Sequence, residues 1–302
     1  MKWVNQILVL ILGVIISIDA IAELSINELK SNMQNAFHKL VSRNTKYSSN
    51  EMYHEIKPFV PSGQDASQFD SQELIRKINS SGIVFADGRR CAYKSESSYS
   101  DISESGAQIS PTVKTQRTSF ENGSFLYWLD DRSDKDESEF TAIERTRASS
   151  LRDNSRAKAP DGVLDGYVWG DSLPLNDLWG KEGVSVTTSE SEIIGKSVCF
   201  AVNISDEAAE RKVLLDPEHG YLPARIIRKE KSYGKDWRYE YEVKEFAMSN
   251  GVWTPKSYTY KLERIGNNGE LEGTETATVV FDSIDLSYDF GDGSVFEPTF
   301  PD

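Results

Sequence analysis

The side chains that most often carry chemistry are few and scattered in this 302-residue chain. Its three histidines, His38, His54 and His219, show neither the i, i+4 spacing nor the short cluster that metal ligation needs. No Gly-x-Ser-x-Gly nucleophile elbow occurs, and no glycine-rich phosphate loop. Asp134-x-Asp136-x-Ser138 begins like a calcium loop, but Glu139 stands where that loop needs glycine and Arg145 falls at the twelfth position. A glycosidase-type carboxylate pair is defined by spatial separation and leaves no trace in sequence, so an exported hydrolase stays as an alternative. The expectation is a protein without catalytic residues, metal or cofactor.

What stands out is apolar. Leu29, Met33, Phe37 and Leu40 recur at helical spacing, and Phe125, Tyr127, Trp237, Tyr239, Tyr241, Tyr258, Tyr260 and Phe281 fall in alternating, strand-like text. Helix and sheet of this kind either fill each other as a core or leave a cavity for an apolar ligand, and alternation alone does not distinguish the two.

The elements that must position these residues begin after a leader. Residues 1–22 run from Met1 and Lys2 through an apolar stretch at Ile7–Ile18 to Ala20-Ile21-Ala22, the plan of a secretory signal peptide. The apolar run falls short of the ~20 residues of a membrane-spanning helix, so residues 23–302 are expected to be exported, soluble and without a stable membrane span. With 34 basic against 48 acidic residues and a net charge of −14, neither nucleic acid nor an anionic membrane surface is an electrostatic partner. Export would allow Cys91 and Cys199 to pair, closing a loop of about 108 residues worth ~4–5 kcal/mol in the chain-entropy model. The alternative is two buried thiols acting as small hydrophobes.

Ser25-Ile26-Asn27-Glu28 fits a capping box, and the apolar stripe behind it predicts an amphipathic helix to about Arg43, with Lys39 and Arg43 in its last turns as cations for the macrodipole. Leu74, Ile75 and Ile78 suggest a second helix over Ser71–Asn79. From residue 83 the period becomes two. Hairpins are expected around Asp87-Gly88, Asn122-Gly123, Pro217–Gly220, Asn250-Gly251 and Asn267–Gly269, with a strand over Glu192–Ile204. Ser95–Ser105, with six serines in eleven residues, reads as a loop. Asp130–Glu139 holds six acids in ten residues and Arg145–Lys158 five bases, a solvated charged loop or a contact surface for an envelope protein partner. Ser172–Trp179 suggests a short helix with Leu175, Leu178 and Trp179 turned inward. Successive hairpins without βαβ text mean an antiparallel meander in an α+β, mostly β protein.

The order of segments then resembles the exported LolA/LolB-like superfamily, the lipoprotein-sorting fold. The resemblance rests on "TSFENGSFLYWL", "IIGKSVCFAV", "KVLLDPEHGYLPARIIRKE", "EFAMSNGVWTPKSYTYKLE" and the ending "VVFDSIDLSYDFGDGSVFEPTFPD". It is carried most by Leu214–Ile227 and by Gly251-Val252-Trp253-Thr254-Pro255, and it spans residues 24–302. It implies a curved antiparallel meander, an open half-barrel wrapped around one or two amphipathic helices, in one domain over 23–302 with insertions near 95–118 and 130–165. It also implies a helix-covered apolar cavity for an acyl chain, a lipid or lipidated protein as partner, and no enzymatic activity or cofactor. A stress-sensor or protein-interaction module on the same fold is the alternative.

Overall fold

The computed structural model describes residues 24–57, 73–88, 90–121, 125–133, 140–147, 162–168, 173–232 and 234–297, and of residues 120–147 the backbone only. The leader at 1–22, the turn at Asn122-Gly123, the acidic residues 134–139 and most of the basic stretch at 148–158 lie outside them.

Among the described residues, one helix precedes the sheet. Helix α1 (Ile26–His38) starts at the expected capping box: Ser25 accepts from the Glu28 amide at 3.2 Å, and the Glu28 carboxylate accepts from the Ser25 amide at 2.8 Å. It ends before the expected Arg43. The chain turns at Lys39–Val41 and Arg43 is already in a strand, its side chain buried and not at the helix end.

The strands are β1 (Ser42–Glu55), β2 (Leu74–Asp87), β3 (Arg90–Ile102), β4 (Val113–Glu121), β5 (Phe125–Ser133) and β6 (Phe140–Arg147). After a 3-10 turn at Gly162–Asp165 and a short helix α2 (Leu175–Leu178) come β7 (Ser185–Ile194), β8 (Ser197–Ser205) and β9 (Ala209–Asp216). Then follow β10 (Leu222–Ser232), β11 (Lys235–Ser249), β12 (Val252–Ile265) and β13 (Leu271–Asp285). All thirteen join one antiparallel sheet in the order 6-5-4-3-2-1-13-12-11-10-9-8-7. Two meanders, β1–β6 and β7–β13, therefore meet where β1 pairs with β13, and the sheet is curved and unclosed. Its curvature is evident from the core. Tyr47, Val84 and Cys91 of β1–β3 share one buried cluster with Val202, Val213 and Ile226 of β8–β10 and with the apolar stripe of α1.

Turn chemistry fixes the hairpins. Gly88 (φ 59°) closes β2–β3, and Asn250 (φ 49°) with Gly251 (φ 77°) closes β11–β12, left-handed conformations that glycine and asparagine adopt most readily. Three expectations are corrected. The helix expected over Ser71–Asn79 is a strand from Leu74, because the ladder to β1 runs unbroken from Leu74 to Asp87 and a short apolar run cannot set its own period. The serine-rich stretch is mostly β3, whose hydroxyls serve the sheet, as where Ser97 and Ser80 lie 2.8 Å apart; the loop begins only at Ser103. Glu192–Ile204 is two strands turning at Gly195 (φ 62°). The short helix near 172–179 is the single turn α2, capped by Pro174 without a side-chain bond, and Leu175, Leu178 and Trp179 are buried as expected.

Gly82 in β2 shows how tightly one part of the inner face is built. A Cβ there would meet the Lys94 carbonyl oxygen and lie 2.9 Å from the Tyr47 ring, which stacks beside Tyr93 with hydroxyls 2.8 Å apart. We expect Gly82→Ala to cost ~1–3 kcal/mol by overpacking. Urea unfolding checks this, and a variant as stable as the wild type would show that the ring can move aside.

Candidate functional site

Register places the sequence-predicted aromatics of β11–β13, Trp237 to Phe281, on one face. Val202, Val213, Ile226, Tyr241, Tyr260, Ala277, Glu51, Ile78 and Tyr99 are successive cross-strand partners from β8 to β3. Their side chains therefore form one row on the inner face. The adjacent row holds Val243, Tyr258, Val279 and Ser49. Rings follow these rows, with Tyr241 and Tyr258 at 4.8 Å between centroids and Tyr258 and Phe281 at 5.8 Å.

Helix α1 lies on this face. Leu29, Met33, Phe37 and Leu40 are buried in the same cluster as Tyr241, Tyr258 and Phe281. The helix side chains thus pack in the cluster that holds the aromatic rows. Among the described residues, hollows of about 460 to 570 Å³ open on the opposite face, lined by polar groups such as Asn50, Ser81, Lys94, Gln116 and Lys261.

The remaining predicted residues continue the face away from the core. Tyr239 is buried, with the Arg228 guanidinium 5.0 Å from its ring centre and its hydroxyl donating to Glu230 at 3.3 Å. Trp237 is half-buried and donates to the Ser232 carbonyl at 3.2 Å. Tyr260 donates to Glu275. Phe125 and Tyr127 lie on β5, and their side chains are outside the described residues. Cys91 and Cys199 are not bridged. They sit on β3 and β8, far apart in the sheet, Cys91 in the inner core and Cys199 in a small outer cluster with Ala201, Leu214 and Ala224. Burial pushes the Cys199 thiol up to about 12, which keeps it an inert thiol.

Two features of this face were not read from sequence. Arg43 is fully buried and holds Asp165 with both nitrogens, Nη1 to Oδ1 at 2.7 Å and Nη2 to Oδ2 at 3.0 Å, while Nη1 also donates to the Leu40 carbonyl at 2.7 Å. That fork ties the end of α1 to the segment at 162–168, whose Gly166 (φ 81°) lets the backbone press on Phe37; a Cβ there would lie 3.1 Å from the ring. Nothing in the spacing of Arg43 announces a partner so far along the chain. The second feature is Glu51. It lies with Glu275 around the Tyr260 hydroxyl, and burial, then the Glu275 charge, push it up to about 7 against the Tyr260 hydrogen bond. The only sequence trace is a lone acid in the alternation Tyr47, Ser49, Glu51, Tyr53. A protonated carboxyl beside an ionised one is the form an acid–base pair takes, but Tyr260 reaches both. Among the described residues no group of three or more His, Cys, Asp or Glu side chains could hold a metal ion.

The fold and this face define an open antiparallel half-barrel whose inner surface is covered by a helix. No family model and no curated protein matches the sequence. Among solved structures, a DUF1329 family protein from Desulfovibrio piger is similar over 90% of this chain and 97% of its own, at 10% identity and a TM-score of 0.41. A tesB protein of Mycobacterium avium subspecies paratuberculosis is similar over 84% of this chain and 85% of its own, at 8% identity and a TM-score of 0.14. MucB, in its complex with MucA, covers 86% of this chain and 94% of its own, at 9% identity and a TM-score of 0.12. At these scores the fold class rests on the sheet itself. No helix among the described residues is long and apolar enough to cross a membrane.

Arg43→Ala leaves Asp165 without its cation and is expected to cost ~3–5 kcal/mol in denaturant unfolding; a loss no larger than the ~1 kcal/mol of a surface pair would rule out the latch. Glu51 titrates higher in the folded chain than its ordinary 4.5. Its contribution to stability is therefore complete below that value and is lost as pH rises through about 7. Glu51→Gln should match the wild type near pH 4 and melt at higher temperature near pH 8; melting curves that stay parallel across this range would contradict the shift.

Proposed function

We propose that this chain is an exported, soluble carrier that holds an acyl chain, from a lipid or a lipidated protein, against the inner face of its half-barrel, without catalysing a reaction. One observation carries the reading: among the described residues, an apolar and aromatic face on an unclosed sheet is covered by one amphipathic helix and short segments rather than by a second layer of sheet. A guest chain can take the places of Leu29, Met33, Phe37 and Leu40 if α1 swings away. Apolar burial at ~25 cal/mol per Å² then supplies several kcal/mol for one chain. The polar hollows of the outer face offer no such surface.

The test is to purify the protein from the compartment to which it is exported, extract it with organic solvent and identify acyl species by mass spectrometry, with uptake of a fluorescent fatty acid in parallel. Stoichiometric lipid, or saturable uptake by the stripped protein, is the expected outcome. A protein that emerges lipid-free and takes up nothing would overturn the reading.

A further inference from the structure

The tyrosines of the inner face differ in what their hydroxyls do. Tyr47 and Tyr93 bond to each other at 2.8 Å, Tyr239 donates to Glu230 at 3.3 Å and Tyr260 donates to Glu275. Tyr241, only 8% exposed, has a hydroxyl with no hydrogen-bond partner. It stands at the centre of the apolar face, opposite Tyr260 across β11–β12 and 4.8 Å from the Tyr258 ring. A buried hydroxyl without an acceptor raises the free energy of the closed state, and nearly all such groups are satisfied in folded proteins. For packing alone phenylalanine would serve, as it does at Phe281 in the same cluster. The hydroxyl is also held as a neutral donor, because burial and Tyr258 push it well above the usual phenol range.

The position of Tyr241 marks a boundary. On one side run Tyr258 and Phe281, a path for carbon chain. On the other come Tyr260, Glu275 and Glu51, a polar margin whose formal charge is acidic. The cations along the face are engaged with acids of their own: Arg228 with Glu230, lying over Tyr239, Arg264 with Glu55 at 3.3 Å and Arg76 with Asp101 at 2.8 Å. A head group placed at this boundary meets a donor and two carboxyls, which disfavours an anion and suits a neutral acceptor.

Building on the acyl-binding reading above, we propose that Tyr241 is the polar anchor of the site: its hydroxyl donates to the carbonyl oxygen of an uncharged acyl head, an ester or amide, once the guest chain has replaced the α1 side chains. The residue thereby selects acyl esters and amides over free fatty acids. The closed state leaves the donor unpaired and the occupied state pairs it, so the same hydroxyl favours exchange of helix for guest.

The experiment compares wild type and Tyr241→Phe, each without its leader and stripped of lipid, in equilibrium binding of 1-palmitoylglycerol, palmitate and hexadecane, with thermal melting of both proteins. The wild type should bind 1-palmitoylglycerol more tightly than palmitate. Tyr241→Phe should weaken 1-palmitoylglycerol roughly five- to tenfold, leave hexadecane unchanged and melt no lower than the wild type. Equal losses for 1-palmitoylglycerol and hexadecane, no loss for either, or a lowered melting temperature would overturn the assignment while leaving acyl binding intact. A wild type that binds none of the three probes would overturn the acyl-binding reading, and the anchor with it.

Discussion

The pairing of β1 with β13 is the constraint on which the rest of the molecule depends. Each meander is locally connected, hairpin by hairpin, and only this seam joins them into one sheet. It brings the strand that follows α1 into the middle of the sheet, while the helix itself packs against β7 and β10 of the second meander. Without the seam, Tyr47 and Glu51 would not share rows with Phe281, Ala277 and Tyr260, and neither the core nor its polar margin would exist.

Along that inner face the chemistry changes in a fixed order. Aliphatic side chains at Val202, Val213 and Ile226 give way to Tyr241 and Tyr258, and these to Tyr260 with its two carboxyls. The gradient follows from what each residue can tolerate when water is removed. Aliphatic groups gain from burial, phenols gain if the hydroxyl is paired, and carboxyls must share protons or hydrogen bonds. The raised Glu51 and the unpaired Tyr241 are two local costs of running such a gradient through the interior of one sheet, and both fall where apolar cover ends.

Much of this was legible in the sequence because it depends on short-range periodicity. The capping box at Ser25–Glu28, the period-two runs of β11–β13 and the turn residues at Gly88 and Asn250 each encode a local geometry, and the aromatic candidates from Trp237 to Phe281 fall on one face as their alternation requires. What escaped is set by distant partners. Leu74–Ile78 reads as helix until β1 and β3 claim its backbone, and the serines of β3 read as loop until the neighbouring strands use them. Arg43 reads as a helix-end cation until Asp165 reaches it. Whether α1 and the sheet fill each other is a matter of side-chain volume in three dimensions, on which alternation is silent.

The seam also orders events in time. Asn44 pairs with Asp285, and Glu55 with Gly273, so the central ladder of the sheet joins nearly opposite ends of the described chain. Hairpins such as β2–β3 and β11–β12 close short loops and can form early, whereas β1 must wait for β13 and meets the full entropic cost of long-range closure. A chain still emerging from a ribosome therefore cannot complete its sheet, and α1 has no finished face to cover. The two meanders can therefore form hairpin by hairpin, but they join into one sheet only after β13 has been made.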